Sequence, residues 1–193
     1  MNLKFRHYLL GAFVSSLLVV VCSWLLIKNQ QQPKQLNSGT AIDKVIIIEP
    51  PCLNCIYVTK TDELNEQNNP ILKVEVFDEH SKVTDFKALS GRAWAQEYDR
   101  NIADNSSPSP KGTYTILPET VGIKAETGGV FRPYEPNFET QRSALGFHVD
   151  PSWGLDNEED GTTGCIALKT LEEYNHLNTL INNIEISDLI IDY

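Results

Sequence analysis

Two alternating runs set the tightest limit on what this chain can fold into. Ile71-Leu72-Lys73-Val74-Glu75-Val76-Phe77 places apolar side chains at every second position, and Val83-Thr84-Asp85-Phe86-Lys87-Ala88-Leu89 does so again. A period of two buries one face of a strand and leaves the other in water. The turn-like Asp78-Glu79-His80-Ser81-Lys82 between them makes the pair a hairpin, with His80 a solvated turn residue. Further strands are predicted at Lys44–Ile48, Gly112–Leu117 and Ser143–Val149, and in the closing stretch 184–193. Thr61–Pro70 and 101–111 read as polar loops, and Pro133, Pro136 and Asn137 predict irregular chain after the Gly128-Gly129 turn. One helix is expected, starting at Thr170. Thr170-Leu171-Glu172-Glu173 is a capping box, and Leu171, Tyr174, Leu177, Leu180 and Ile181 form one stripe. His176 borders that stripe as a surface residue. The reading is a mostly-β sandwich or barrel with one main C-terminal helix.

The N-terminus has a different character. Lys4 and Arg6 precede Tyr8–Ile27, twenty residues without a formal charge, and Lys28 closes the run. As a helix that length crosses a hydrocarbon core of about 30 Å. No small-x-small cleavage site follows, so an uncleaved transmembrane signal anchor is expected at 8–27. Residues 1–7 would be a cytoplasmic stub, 28–41 a flexible Gln/Pro/Ser/Gly linker and 42–193 the globular domain. Basic residues ahead of the span place the domain on the periplasmic, extracytoplasmic side of a single-pass inner-membrane protein. Only three of the 16 basic and none of the 26 acidic residues lie in 1–28, leaving 13 against 26, a formal charge of −13. A body so acidic repels phosphate, which argues against a nucleic-acid partner.

The chain has four cysteines. Cys52-x-x-Cys55 follows Pro50-Pro51 and precedes a β-branched stretch, so it lacks the helix N-terminus that a thioredoxin-type site needs. No matching second pair supports a zinc site, and no metal or cofactor is predicted. A local disulfide is the expected state in an oxidising compartment, with free thiols or exchange chemistry as alternatives. Cys165 is different. It follows a Gly161-Thr162-Thr163-Gly164 turn and precedes an apolar run, seventeen positions after His148, which closes another. Two strand ends joined by a polar loop can bring a thiol to an imidazole, the pair needed for a cysteine nucleophile. A buried structural cysteine and an unrelated histidine would have the same spacing.

Three stretches together resemble the catalytic domain of the L,D-transpeptidases, the YkuD-like family, over residues 71–193. They are the hairpin 72–89, Ser109-Pro110-Lys111-Gly112-Thr113-Tyr114-Thr115-Ile116, and His148 followed by Thr163-Gly164-Cys165-Ile166. The resemblance implies a β-sandwich, Cys165 as nucleophile, His148 as general base and acid, and a peptidoglycan stem tetrapeptide as substrate. The expected activity is L,D-transpeptidation through an acyl-thioester enzyme. L,D-carboxypeptidase action, D-amino-acid exchange or a non-catalytic peptidoglycan-binding role stand as alternatives. The backbone N–H groups of Gly164 and Cys165 are the candidate oxyanion donors.

The chain is an atypical member of that pattern. Thr163 stands where the family often has a histidine, Ala167 where it often has an arginine, and Val149 where a small residue commonly follows the catalytic histidine. Arg142, six residues before His148, is the candidate replacement cation for substrate or turn. Asp150 is a candidate to orient the imidazole, but a backbone carbonyl is the expected orienter.

Overall fold

The computed structural model describes residues 50–121 and 125–193. The anchor and linker expected at 8–27 and 28–41, and the strand at Lys44–Ile48, lie outside the described residues. Among those described, no helix is long and apolar enough to cross a membrane.

The strands are β1 (Cys55–Leu64), β2 (Pro70–Phe77), β3 (Lys82–Ser90), β4 (Gly112–Ile116), β5 (Thr120–Val121), β6 (Val130–Pro136), β7 (Gly146–Val149), β8 (Ile166–Leu168) and β9 (Asp188–Ile191). Among the described residues there is one α-helix, α1 (Leu171–Ile184), which precedes β9. Hydrogen-bonded neighbours run β4-β9-β1-β2-β3-β8-β7-β6, and β6 pairs back onto β4. That last pairing corrects the expected β-sandwich, because the eight strands close into a barrel with no free edge. The short β5 attaches to β6 outside the ring.

Register carries the apolar side chains inward. Ile56 faces Val76, Val58 faces Val74, Val74 faces Phe86, Leu72 faces Ala88, and Ala88 faces Leu168. The far wall adds Tyr114 opposite Leu189 and Phe147 opposite Ile166. All are buried in one core, each large side chain contributing about 1.5–3 kcal/mol relative to exposure. Edge-to-face ring pairs lie within that core, Tyr114–Tyr134 at 5.1 Å and Tyr134–Phe147 at 5.2 Å. Eight strands leave an interior that side chains can fill, which is the case here.

The hairpin of β2 and β3 forms as the alternation predicts. Thr170 caps α1 with both capping-box bonds present, and Tyr174, Leu177 and Ile181 are buried on the core. Leu171 is exposed, so the stripe starts one turn later than expected. His176 packs edge-on against Phe86 at 5.4 Å.

Two segments depart from expectation. β1 continues to Leu64 through the polar Lys60-Thr61-Asp62-Glu63, because pairing with β2 supplies the order that apolar side chains do not. β6 is a strand despite its prolines. Pro133 faces Gly146 on β7, and its carbonyl accepts the Leu117 N–H at 2.8 Å, so the residue still joins the ladder through its acceptor. The alternation is present but hidden, since Arg132 occupies an inward position beside Tyr134. The Arg132 Nη1 donates to Asn178 and Asn182 of α1 at 2.9 and 3.0 Å, tying the helix to the barrel.

Candidate active site

The parallel pairing of β7 with β8 decides where the thiol and imidazole lie. Phe147 faces Ile166 and His148 faces Ala167, so Phe147 and Ile166 point to the core and their neighbours point to the opposite face. Cys165 lies two residues before Ala167 and therefore shares the His148 face. On an ideal parallel ladder two such positions are diagonal neighbours about 8 Å apart at Cα, within side-chain reach. Both residues line one cleft of about 740 Å³.

His148 is oriented from its own strand. Its Nδ1 lies 2.7 Å from the Val149 carbonyl oxygen. A carbonyl can only accept, so Nδ1 carries the proton and Nε2 keeps its lone pair. Burial holds the imidazole pKa below its ordinary value, with the Val149 carbonyl opposing, so the ring is a neutral base at pH 7. Phe131 stacks beside it at 6.5 Å between ring centroids. Asp150 is occupied elsewhere. Its two oxygens accept the Ser152 and Gly161 N–H groups, each at 2.8 Å, and order the loop between β7 and β8.

Cys165 is half buried. Desolvation pushes its thiol up to about 11, against smaller opposing pulls from the Gly146 N–H and the Arg142 charge. Its sulfur lies 3.6 Å from the Ala144 carbonyl oxygen. The resting pair is thus neutral thiol and neutral imidazole. The proton must move when the carbonyl is attacked. Alkylation of the full-length protein by iodoacetamide is accordingly expected to climb with pH toward about 11. A half-maximum below pH 8 would mean a preformed thiolate–imidazolium pair instead.

The turn before Cys165 is held by residues that the sequence did not single out. Thr162, 4% exposed, is central. Its hydroxyl accepts the Gly91 N–H at 2.9 Å and the Gly164 N–H at 3.0 Å, and donates to the Cys165 carbonyl at 2.8 Å. The Gly164 N–H is therefore spent inside the turn and is not directed at a substrate. The Gly164 carbonyl accepts from Ser109 Oγ and, at 3.4 Å, from Ser90 Oγ. Ser109 Oγ also meets Tyr134 OH at 2.7 Å. With that carbonyl fixed toward this buried cluster, the planar trans peptide points the Cys165 N–H the other way. Of the two expected donors, Cys165 N–H is the one so aimed. Thr162→Val, nearly isosteric, orphans two buried N–H groups and is expected to cost about 2–4 kcal/mol of stability. Denaturant unfolding measures it.

Arg142 is 6% exposed and lies beneath the turn, where a solvated arginine would be commoner. Its Nη2 donates to the Thr163 carbonyl at 2.5 Å, and its Nη1 to Ser107 Oγ at 3.0 Å and Asn105 Oδ1 at 3.3 Å. All these partners are neutral. Arg142 is a buried clamp whose charge reaches the sulfur, and it is not a cation presented to the cleft. Thr163 is exposed on the cleft wall. Ala167 is fully buried between Leu89 on β3 and His148 on β7.

The thiol–imidazole pair was visible in the sequence. Ser90 and Arg92, which also lines the cleft, were not, and Thr162 and Ser109 stood in noted stretches without a role of their own. Only a threonine two places before a glycine, the signature of a side-chain-to-backbone turn, could have pointed to Thr162. Among the described residues no group of three or more His, Cys, Asp or Glu side chains is placed to hold a metal ion. Cys52 and Cys55 form a disulfide, Cα–Cα 5.9 Å, at the entry to β1, and among the described residues no helix starts there. No protein-family model matches this sequence, and no curated protein is found similar to it.

Proposed function

We propose that this chain is a cysteine acyltransferase of the L,D-transpeptidase kind, acting on peptidoglycan stem peptides outside the cytoplasm. The observation that carries the reading is the shared face of β7 and β8, which gives Cys165 and His148 one cleft. The Cys52–Cys55 disulfide supports an oxidising compartment.

The chemistry runs in two steps. His148 Nε2 takes the thiol proton as sulfur attacks the carbonyl of the third stem residue. The tetrahedral oxyanion is stabilised by the Cys165 N–H. The C–N bond then breaks, and the imidazolium returns its proton to the departing D-alanine amine, leaving a thioester. An acceptor amine attacks that thioester, passes a proton to His148 and thence to sulfur, and restores the thiol with a new amide bond. Water in place of the amine gives carboxypeptidase action.

One observation favours a second reading, a wall-binding domain without turnover: the thiol donates to the Ala144 carbonyl and not to the imidazole. Catalytic hydrogen bonds often tighten only once substrate is bound, so the acyltransferase reading is preferred. Incubating the full-length protein with a carbapenem and weighing it intact separates the two. A covalent adduct in the wild type, missing in Cys165→Ala, supports catalysis. Peptidoglycan binding with no adduct supports the second reading.

A further inference from the structure

We propose that Arg92 is the carboxylate-binding residue of this cleft, so that the acyl donor must carry a free C-terminal carboxylate on its leaving residue. The inference rests on the acyl-transfer reading above and adds the residue that would hold the leaving residue's carboxylate.

Backbone pairing brings Arg92 to the nucleophile. Gly91 N–H donates to Thr162 Oγ1 at 2.9 Å, and Thr162 N–H donates to Gly91 O at 3.0 Å. That joins the residue before Arg92 to a residue three positions before Cys165. Gly161, at φ +90°, allows the approach, because a β-carbon there would run into the Gly91 carbonyl oxygen. The Arg92 N–H is fixed in turn to Ser106 O at 2.9 Å.

The side chain is held but not used up. Nη1 donates to the carbonyls of Glu158 at 2.6 Å and Asp160 at 3.4 Å, which pins the guanidinium against the β7–β8 loop. Among the described residues its side-chain bonds all use that one nitrogen, leaving the Nε/Nη2 edge for a planar two-oxygen acceptor. Its bonded partners are neutral carbonyls, although its charge is also felt by the Asp150 carboxyl. The other guanidinium nearby, Arg142, is buried and committed to the turn. Among the described residues that line the cleft, Arg92 is therefore the cation offered to a ligand.

The geometry of a peptide fits this position. The carboxylate carbon of a leaving amino acid lies within about 4 Å of the scissile carbonyl carbon, so its partner must sit beside the nucleophile turn. Glu126, Asp150 and Glu159 also line the cleft. They repel any anion held away from Arg92, and a doubly charged phosphate more strongly than a single carboxylate.

The test compares kcat/KM of the full-length protein for a stem tetrapeptide free acid and for the same peptide with a C-terminal amide. The free acid should be preferred about 10- to 100-fold, the range of a charge-assisted pair. Arg92→Gln should bring that ratio close to one, mainly through KM, and Arg92→Lys should retain part of it. Loss of fold lowers both peptides alike and leaves the ratio unchanged, so the ratio separates recognition from stability. Equal turnover of the two peptides by the wild type, or an undiminished ratio in Arg92→Gln, overturns the proposal and leaves the acyl-transfer reading standing. Turnover of neither peptide, with no thioester on Cys165, overturns both.

Discussion

Gly164→Ala is expected to abolish turnover and to cost about 3–5 kcal/mol of stability. Gly164 has φ +125°, a conformation that a residue with a β-carbon adopts only under strain. A methyl built there would overlap the Arg142 Nη2 nitrogen outright. Arg142 would have to leave, and the Thr163 carbonyl and the buried Ser107 hydroxyl would lose their donor. The peptide that aims the Cys165 N–H would shift with it. Denaturant unfolding and carbapenem labelling, run side by side, measure the two losses. Because the two changes act on one contact, Gly164→Ala with Arg142→Ala should cost well under the sum of the singles. Additive costs would mean that the turn and the clamp are independent.

His148→Gln is the second large effect, and it acts on chemistry more than on fold. Glutamine roughly fills the space and its amide can still donate to the Val149 carbonyl, but it has no basic nitrogen to take the thiol proton. With a thiol pushed up to about 11, almost no thiolate exists at neutral pH without that base. Acylation of Cys165 should therefore fall about 10²- to 10⁴-fold at pH 7. The pH profile carries the sign. Burial lowers the His148 pKa, so the wild-type rate should rise through a midpoint below the ordinary value of about 6.5 and then stay level. In His148→Gln that acid limb should vanish, and the rate should climb only as alkali ionises the thiol. An unchanged limb in the variant would assign the base elsewhere.

How much of this was legible beforehand depends on the range of the interaction. The β2–β3 hairpin and the cap of α1 are local: alternation and a Thr-x-x-Glu box encode them within a few residues. Closure of the barrel is not local. It depends on β6 returning to β4 and on β9 inserting between β1 and β4, pairings that alternating residues permit without specifying. A sandwich and a barrel use the same strands, and only those pairings distinguish them. β6 was hidden because Pro133 and the inward Arg132 break the apolar pattern that marks a strand.

The same division holds at the site. Cys165 and His148 stand at visible breaks in order, so chemistry points to them. The residues that aim them act across the fold. Thr162 reaches Gly91, Ser109 reaches Gly164, and Arg142 reaches Thr163, over separations of 71, 55 and 21 positions. No local spacing announces such partners. Arg142, visible only as a cation near the histidine, proves to be a buried clamp, whereas Arg92 carried no sequence signal at all.

The most direct measurement is the intact mass of the full-length protein during reaction with a peptidoglycan stem tetrapeptide. The account predicts a transient species heavier by the peptide less one D-alanine, carried on Cys165, absent in Cys165→Ala and discharged when an acceptor amine is added. Binding of the tetrapeptide with neither a thioester nor released D-alanine would contradict it.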